Sequence, residues 1–277
     1  MNRIPILLCA LGFLAPAMPA KADELIVRGD RLFIPVEVNG VVYEALLDSG
    51  AEVTILDPEV ARQLALQPGK SAEARGTGAS TVEAELIENL TLRTIGREVT
   101  VPVAAIIDLG DIGKRLIGRK LAMILGQEVF DAGRLLLNIE KSAIEYVGHD
   151  LEIQGVRLPL NSANGIETIT VEVDGVEVQA DFDLGNGTGM LISPELAQRL
   201  RLDPVGIEPG GGLGGSVGRP VVFVRELVVA GKTFENVRAH ISANNDAEAN
   251  VGVSILRNFQ IVTDFKNKAV WLAQREH

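Results

Sequence analysis

The chain is written twice. Residues 34–50 and 169–185 align without a gap at an offset of 135, and Ile34/Ile169, Val36/Val171, Glu37/Glu172, Val38/Val173, Gly40/Gly175, Val41/Val176, Ala45/Ala180, Asp48/Asp183 and Gly50/Gly185 are identical. Two copies, each filling about half the chain, imply duplication into two lobes rather than a solenoid, which stacks several shorter units. The copies match again near their ends. Ile124-Leu125-Gly126 followed by 136–144 parallels Asn250-Val251-Gly252 followed by 262–270, now at an offset of 126, so the second lobe is shorter in its middle. The lobes are expected over 24–147 and 165–275, joined by a connector over 148–164 that contains His149 and Pro159.

Within each copy the local signals agree. Alternating apolar residues run into Asn39-Gly40 or Asp174-Gly175 and resume beyond it. Those dipeptides accept the positive φ of a type I′ turn, so each copy opens with a β-hairpin. Asp57-Pro58-Glu59 and Ser193-Pro194-Glu195 then supply a capping oxygen, a proline at the first helical position and an early acid, the marks of a helix start. These helices end near Leu66 and Leu202. Further β-like runs follow at 99–107 and 221–229. The expected architecture is mainly β, with a short helix in each lobe.

The first segment stands apart. An apolar run over 4–18 follows Arg3, and Ala20-Lys21-Ala22 offers an A-x-A-like cleavage site, so 1–22 reads as a secretory signal. The run is too short for a convincing transmembrane helix, although an uncleaved anchor is the alternative. The single cysteine, Cys9, lies inside it, and Leu8 before it argues against lipid attachment. Cleavage after Ala22 leaves a cysteine-free acidic chain, periplasmic or secreted, with no stable insertion in a membrane. Twenty-six Lys and Arg against 37 Asp and Glu, a formal charge of −11, argue against nucleic acid or an anionic membrane surface as a partner. One Cys and three His leave little for a disulfide framework or a Cys/His metal site.

A lone Asp-Ser-Gly is a weak signal. Here Asp48-Ser49-Gly50 follows the apolar Leu46-Leu47, is repeated in reduced form as Asp183-Leu184-Gly185, and is followed well downstream in each lobe by an apolar segment ending in Gly126 or Gly252. With this ordered set the chain resembles the retropepsin-like aspartic peptidases of the bacterial two-lobed or tandem kind, over nearly all of 30–275. The resemblance implies two homologous β-barrel lobes and a glycine-rich flap in each. Gly76, Thr77 and Gly78 occupy one flap interval and Gly212, Gly214 and Gly215 the other. It also implies a catalytic pair, Asp48 and Asp183, in loops shaped by Ser49, Gly50 and Gly185 and packed on Gly126 and Gly252. Two carboxyls held close cannot both ionise cheaply, so they share a proton. One then activates a water while the other protonates the scissile carbonyl. No metal and no cofactor is implied, and the substrate is an extended peptide or unfolded protein added as a strand to the flap edges.

One position departs from the family pattern. Leu184 stands where a Ser or Thr is expected, so any hydroxyl brace between the loops is one-sided; Asn186 and Thr188 are nearby substitutes. Three readings follow: a single-chain endopeptidase, monomeric or dimeric; a peptide-binding module with a disabled pair; or a homodimer using Asp48 from two chains. Asp181 is a decoy, because the ungapped repeat aligns Asp183 with Asp48.

Other motifs fail on context. Residues 210–215 spell G-x-G-x-x-G and 214–218 spell G-x-S-x-G, but Pro209 and Pro220 flank them and no strand-to-helix turn is indicated. A mobile flap explains the glycines better. Arg28-Gly29-Asp30 reads as a turn before a strand. His149, His240 and His277 are too scattered for a shared zinc site. Asn89-Leu90-Thr91 is a glycosylation sequon only in a eukaryotic secretory pathway. Trp271 reads as a core or interface aromatic.

Overall fold

The computed structural model describes residues 23–163, 165–243 and 247–275; the expected signal segment, Cys9 and His277 lie outside them. Each half builds an eight-stranded sheet with the same strand plan. In the first lobe Arg31–Val38 and Val41–Leu47 form the opening hairpin, and Val82–Thr94 with Arg97–Ile106 form a long second one. Ile166–Val173 with Val176–Phe182, and Val217–Val229 with Lys232–Ile241, repeat the plan in the second lobe. Asn39-Gly40 and Asp174-Gly175 take positive φ at both turn positions, the geometry whose twist matches the flanking strands. Each sheet curls back on itself, meeting through Glu37↔Arg93 in one lobe and through Glu172↔Val228 and Val173↔Leu227 in the other. The expected barrel is therefore a strongly curled sheet laced by a few residue pairs.

The capped helices are Pro58–Gln63 and Pro194–Arg199. The Asp57 carboxylate accepts from the Glu59 N–H, and the Ser193 hydroxyl accepts from the Leu196 N–H. Among the described residues there are three further short α-helices, Gly110–Ile117, Gln127–Asp131 and Val253–Leu256. None has a side-chain cap, and two are shorter than the periodicity needed to read them. Gly110–Ile117 falls in the stretch that the second lobe lacks.

A third sheet, not legible in the sequence, locks the lobes together. Its order is Asp23–Glu24, Ala143–Tyr146, Leu135–Asn138, Phe259–Asp264, Ala269–Gln274 and Val156–Pro159. The junction is antiparallel, Leu135↔Thr263 to Leu137↔Ile261. The connector is thus not merely a loop, since it lends Val156–Pro159 to the last strand. Phe130 of the first lobe stacks on Phe265 of the second, centroids 4.9 Å apart, and both are fully enclosed. Each such ring contributes about 1.5–3 kcal/mol by burial. Arg134 and Asp264, nearly buried, pair across the same seam at 3.1 Å. Trp271 lies on this sheet between the guanidinium groups of Arg134 and Arg157. One apolar core runs through both lobes; the lobes are fixed to each other, and so is the cleft between them.

Candidate active site

Asp48 follows the strand Val41–Leu47, and Asp183 follows Val176–Phe182. The backbone N–H of Asp48 donates to the Leu125 carbonyl at 3.0 Å, and that of Asp183 to the Val251 carbonyl at 3.1 Å. Each apolar segment is thereby pinned beneath its loop. Gly126 and Gly252 permit the contact: an added Cβ would lie 2.6 Å from the Val53 backbone in one case and 2.3 Å from the Asn186 carbonyl oxygen in the other.

The loops meet face to face. A Cβ on Gly185 would fall 2.2 Å from Cγ of Asp48, and one on Gly50 would fall 3.1 Å from Cγ of Asp183. Each glycine leaves the space that the opposite carboxyl occupies, so the two carboxyls face one another across the meeting loops. The structure therefore brings Asp48 and Asp183 together, whereas Asp181 lies in the preceding strand.

Their surroundings differ. Asp48 accepts one backbone hydrogen bond, from the Gly50 N–H at 2.8 Å. Asp183 accepts from the N–H groups of Gly185 (2.9 Å) and Asn186 (3.0 Å) on one oxygen and from the Asn250 amide (2.7 Å) on the other. The Asn186 side-chain amide donates in turn to Oδ1 of Asn250 at 2.7 Å. Enclosure deep in the cleft, where little bulk water reaches, pushes both carboxyls above the usual range. The charge of Asp183 lifts Asp48 further, to about 8, against the Gly50 N–H. Enclosure also raises Asp183, but Asn250, Gly185 and Asn186 oppose the rise. Donors to the charged form favour ionisation, and Asp183, with three such donors against one for Asp48, is the better placed of the two to carry the charge.

Ser49 supplies the brace. Its buried hydroxyl donates to the Phe182 carbonyl at 2.6 Å and accepts from the Leu184 N–H at 2.9 Å. Leu184 is fully buried and returns no such bond. Asn186 pairs with Asn250, while the Thr188 hydroxyl donates to Oδ1 of Asn186. These amides hold the second loop to its own lobe.

The two flap hairpins interlock above the pair. Gly78 N–H donates to Leu213 O (2.9 Å), Ser80 N–H to Gly214 O (3.1 Å) and Gly212 N–H to the Thr77 hydroxyl (2.9 Å). Gly76 packs on Leu213, and a Cβ on Gly214 would strike the Ser80 carbonyl oxygen at 2.0 Å. Gly215, at φ +95°, turns the tip. The glycines thus have a packing reason besides mobility. Beneath lies a cavity of about 720 Å³ lined by both aspartates and both hairpins.

Sequence reasoning did not single out four of the residues here. Arg31, after the turn at Arg28-Gly29-Asp30, is buried beside the pair; burial lowers its pKa while Asp183 and Asp48 oppose the fall. Arg115, on the helix peculiar to the first lobe, donates to the Gly211 and Gly212 carbonyls at 2.8 Å each. Arg219 donates to the Thr77 carbonyl at 2.7 Å. Asn250 had a signal, since it stands where the first lobe has the apolar Ile124.

A family model described as aspartyl protease matches twice, over residues 34–129 and 169–255. DNA damage-inducible protein 1 of Neurospora crassa is 27% identical over 183 residues, which cover 60% of this chain and 36% of that relative. Among solved structures, a retropepsin-like aspartic protease from Rickettsia conorii aligns with 44% of this chain and 92% of its own, at 20% identity and a TM-score of 0.35.

Proposed function

The chain belongs to the aspartyl protease family, of retropepsin-like type and in two tandem copies, and on that footing we propose that it is a single-chain aspartic endopeptidase. The observation that carries the reading is the mutual fit of the two loops, each carboxyl lying against the other loop's glycine with Ser49 tying them together. Ionised Asp183 takes a proton from a water placed between the carboxyls as its oxygen attacks the scissile carbonyl carbon. Asp48 gives its proton to the carbonyl oxygen, forming a neutral gem-diol. Collapse breaks the C–N bond, with the proton on Asp183 passing to the departing nitrogen and Asp48 regaining one from the diol. The N-terminal signal pattern supports an exported protein as part of the same reading.

The test is direct. Mature protein incubated with an unfolded polypeptide at pH 3–7 should release fragments, and Asp48→Asn and Asp183→Asn should each abolish them. Absence of cleavage at every pH would favour a peptide-binding module. Activity that survives Asp183→Asn in a dimer would favour paired copies of Asp48.

A further inference from the structure

The two lobes share a strand register, so each cleft position in one has a counterpart in the other. In the first lobe Ala72↔Ala84, Leu86↔Ala105, Ile55↔Ala105 and Ile55↔Ile124 are neighbours. In the second lobe the same places are taken by Glu208↔Arg219, Val221↔His240, Leu191↔His240 and Leu191↔Asn250. Ala84, Ala105 and Ile124 thus correspond to Arg219, His240 and Asn250. Around the first set lies a separate apolar cluster that includes Phe33, Leu46, Ile107 and Ile112. Its surface forms an apolar wall of the cavity.

Arg219 faces the cavity from the other lobe. It is 5% exposed, and its Nε has no hydrogen-bond partner. Among the described residues only Nη2 is engaged, on the Thr77 carbonyl. Among the described residues no carboxylate pairs with it: Glu208, across the strand pair, is taken by Arg238 and His240. Gly210 leaves the room for the side chain, since a Cβ there would lie 2.9 Å from its Cδ. A buried guanidinium without a counter-ion is costly, and a planar fork of donors matches a carboxylate.

We propose that Arg219 receives a carboxylate of the substrate, so that the cleft takes a peptide with a bulky apolar side chain on the first-lobe side of the scissile bond and an aspartate or glutamate on the second-lobe side. This deepens the peptidase reading and rests on it. A charged hydrogen bond of this kind should be worth about ten- to a hundredfold in kcat/KM. Digestion of a peptide library at pH 6, with cleavage sites read by mass spectrometry, should show apolar residues enriched on one side of the bond and acids on the other. A Glu/Gln peptide pair should then differ about tenfold or more. That ratio should fall toward one in Arg219→Gln and be recovered in part in Arg219→Lys, with folding of both variants followed by circular dichroism.

Cleavage with apolar residues on both sides, or a Glu preference unchanged in Arg219→Gln, would overturn the proposal and leave the peptidase reading standing. If the wild type does not cut, the same pair with a reduced, uncleavable central bond separates the two ideas. Glu-selective binding, lost in Arg219→Gln and measured by fluorescence anisotropy, upholds Arg219 without the chemistry; equal or absent binding of the pair overturns it.

Discussion

The loop of the first lobe holds its neighbour, whereas the loop of the second lobe holds itself. Ser49 reaches across the interface with both ends of its hydroxyl, one to a carbonyl and one to an N–H of the opposite loop. Leu184, at the matching position, offers only apolar surface, and the second loop is secured instead by Asn186 and Asn250 on Asp183. The duplication therefore preserved the backbone path and the paired acids while the means of holding them diverged. The difference has a chemical consequence, because the donors that fix the second loop also stabilise charge on Asp183. Identical side chains in a repeated frame end in surroundings that favour charge on one of them more than on the other.

The hardest blow to this comparison is to remove either acid. Asp48→Asn and Asp183→Asn should each cost at least about a thousandfold in kcat/KM, the acid and the base being required together; a fluorogenic peptide assay measures it. Next, Ser49→Ala should lower stability by about 1–3 kcal/mol for each of the two buried groups it leaves unpaired, read as a drop in urea midpoint. Leu184→Ala, which touches only packing, should leave the inter-lobe hydrogen bonds intact.

Replacing Asn250 by its register counterpart, in Asn250→Ile, removes a donor to ionised Asp183 and raises its pKa. The acidic limb of the kcat/KM profile should then move to higher pH by about one to two units, one such hydrogen bond being worth about 1.5–3 kcal/mol. The alkaline limb, set by deprotonation of Asp48 at about 8, should move less. Stability gives an independent check. A carboxyl raised in the folded state binds its proton more tightly there than when unfolded, so its stabilising contribution is complete below pH 3.8 and is lost as pH rises through about 8. Asp48→Asn should therefore melt above the wild type near pH 8, and that advantage should vanish by pH 4. The smallest effect is expected for Arg115→Ala. Losing two bonds to the Gly211 and Gly212 carbonyls should speed amide exchange over 210–215, and peptide turnover should change by only a few-fold.

Much of the fold was open to sequence reading because its signals are local. Asn39-Gly40 and Asp174-Gly175 specify their turns by φ preference, Asp57-Pro58 and Ser193-Pro194 specify helix starts by capping, and the ungapped repeat chose Asp183 over Asp181. The shared sheet was not open, since the pairing of Leu135–Asn138 with Phe259–Asp264 joins strands more than a hundred residues apart and leaves no local trace. Gly110–Ile117 escaped because two glycines and an uncapped start hide its helical period. Arg115 and Arg219 escaped for a related reason: an arginine next to Lys114, or between Gly218 and Pro220, looks like any solvated charge until a partner carbonyl is placed against it.

The repeated acids, the glycines that each carboxyl requires and the missing hydroxyl at Leu184 were all determined by the order of residues, because they depend on covalent neighbours and backbone dihedrals. Which acid has the more donors to hold a charge, which wall of the cleft is apolar and which arginine is left without a counter-ion were decided only when the chain closed. Those properties depend on solvation and on the direction of hydrogen bonds between distant segments, and both take their values from three-dimensional surroundings.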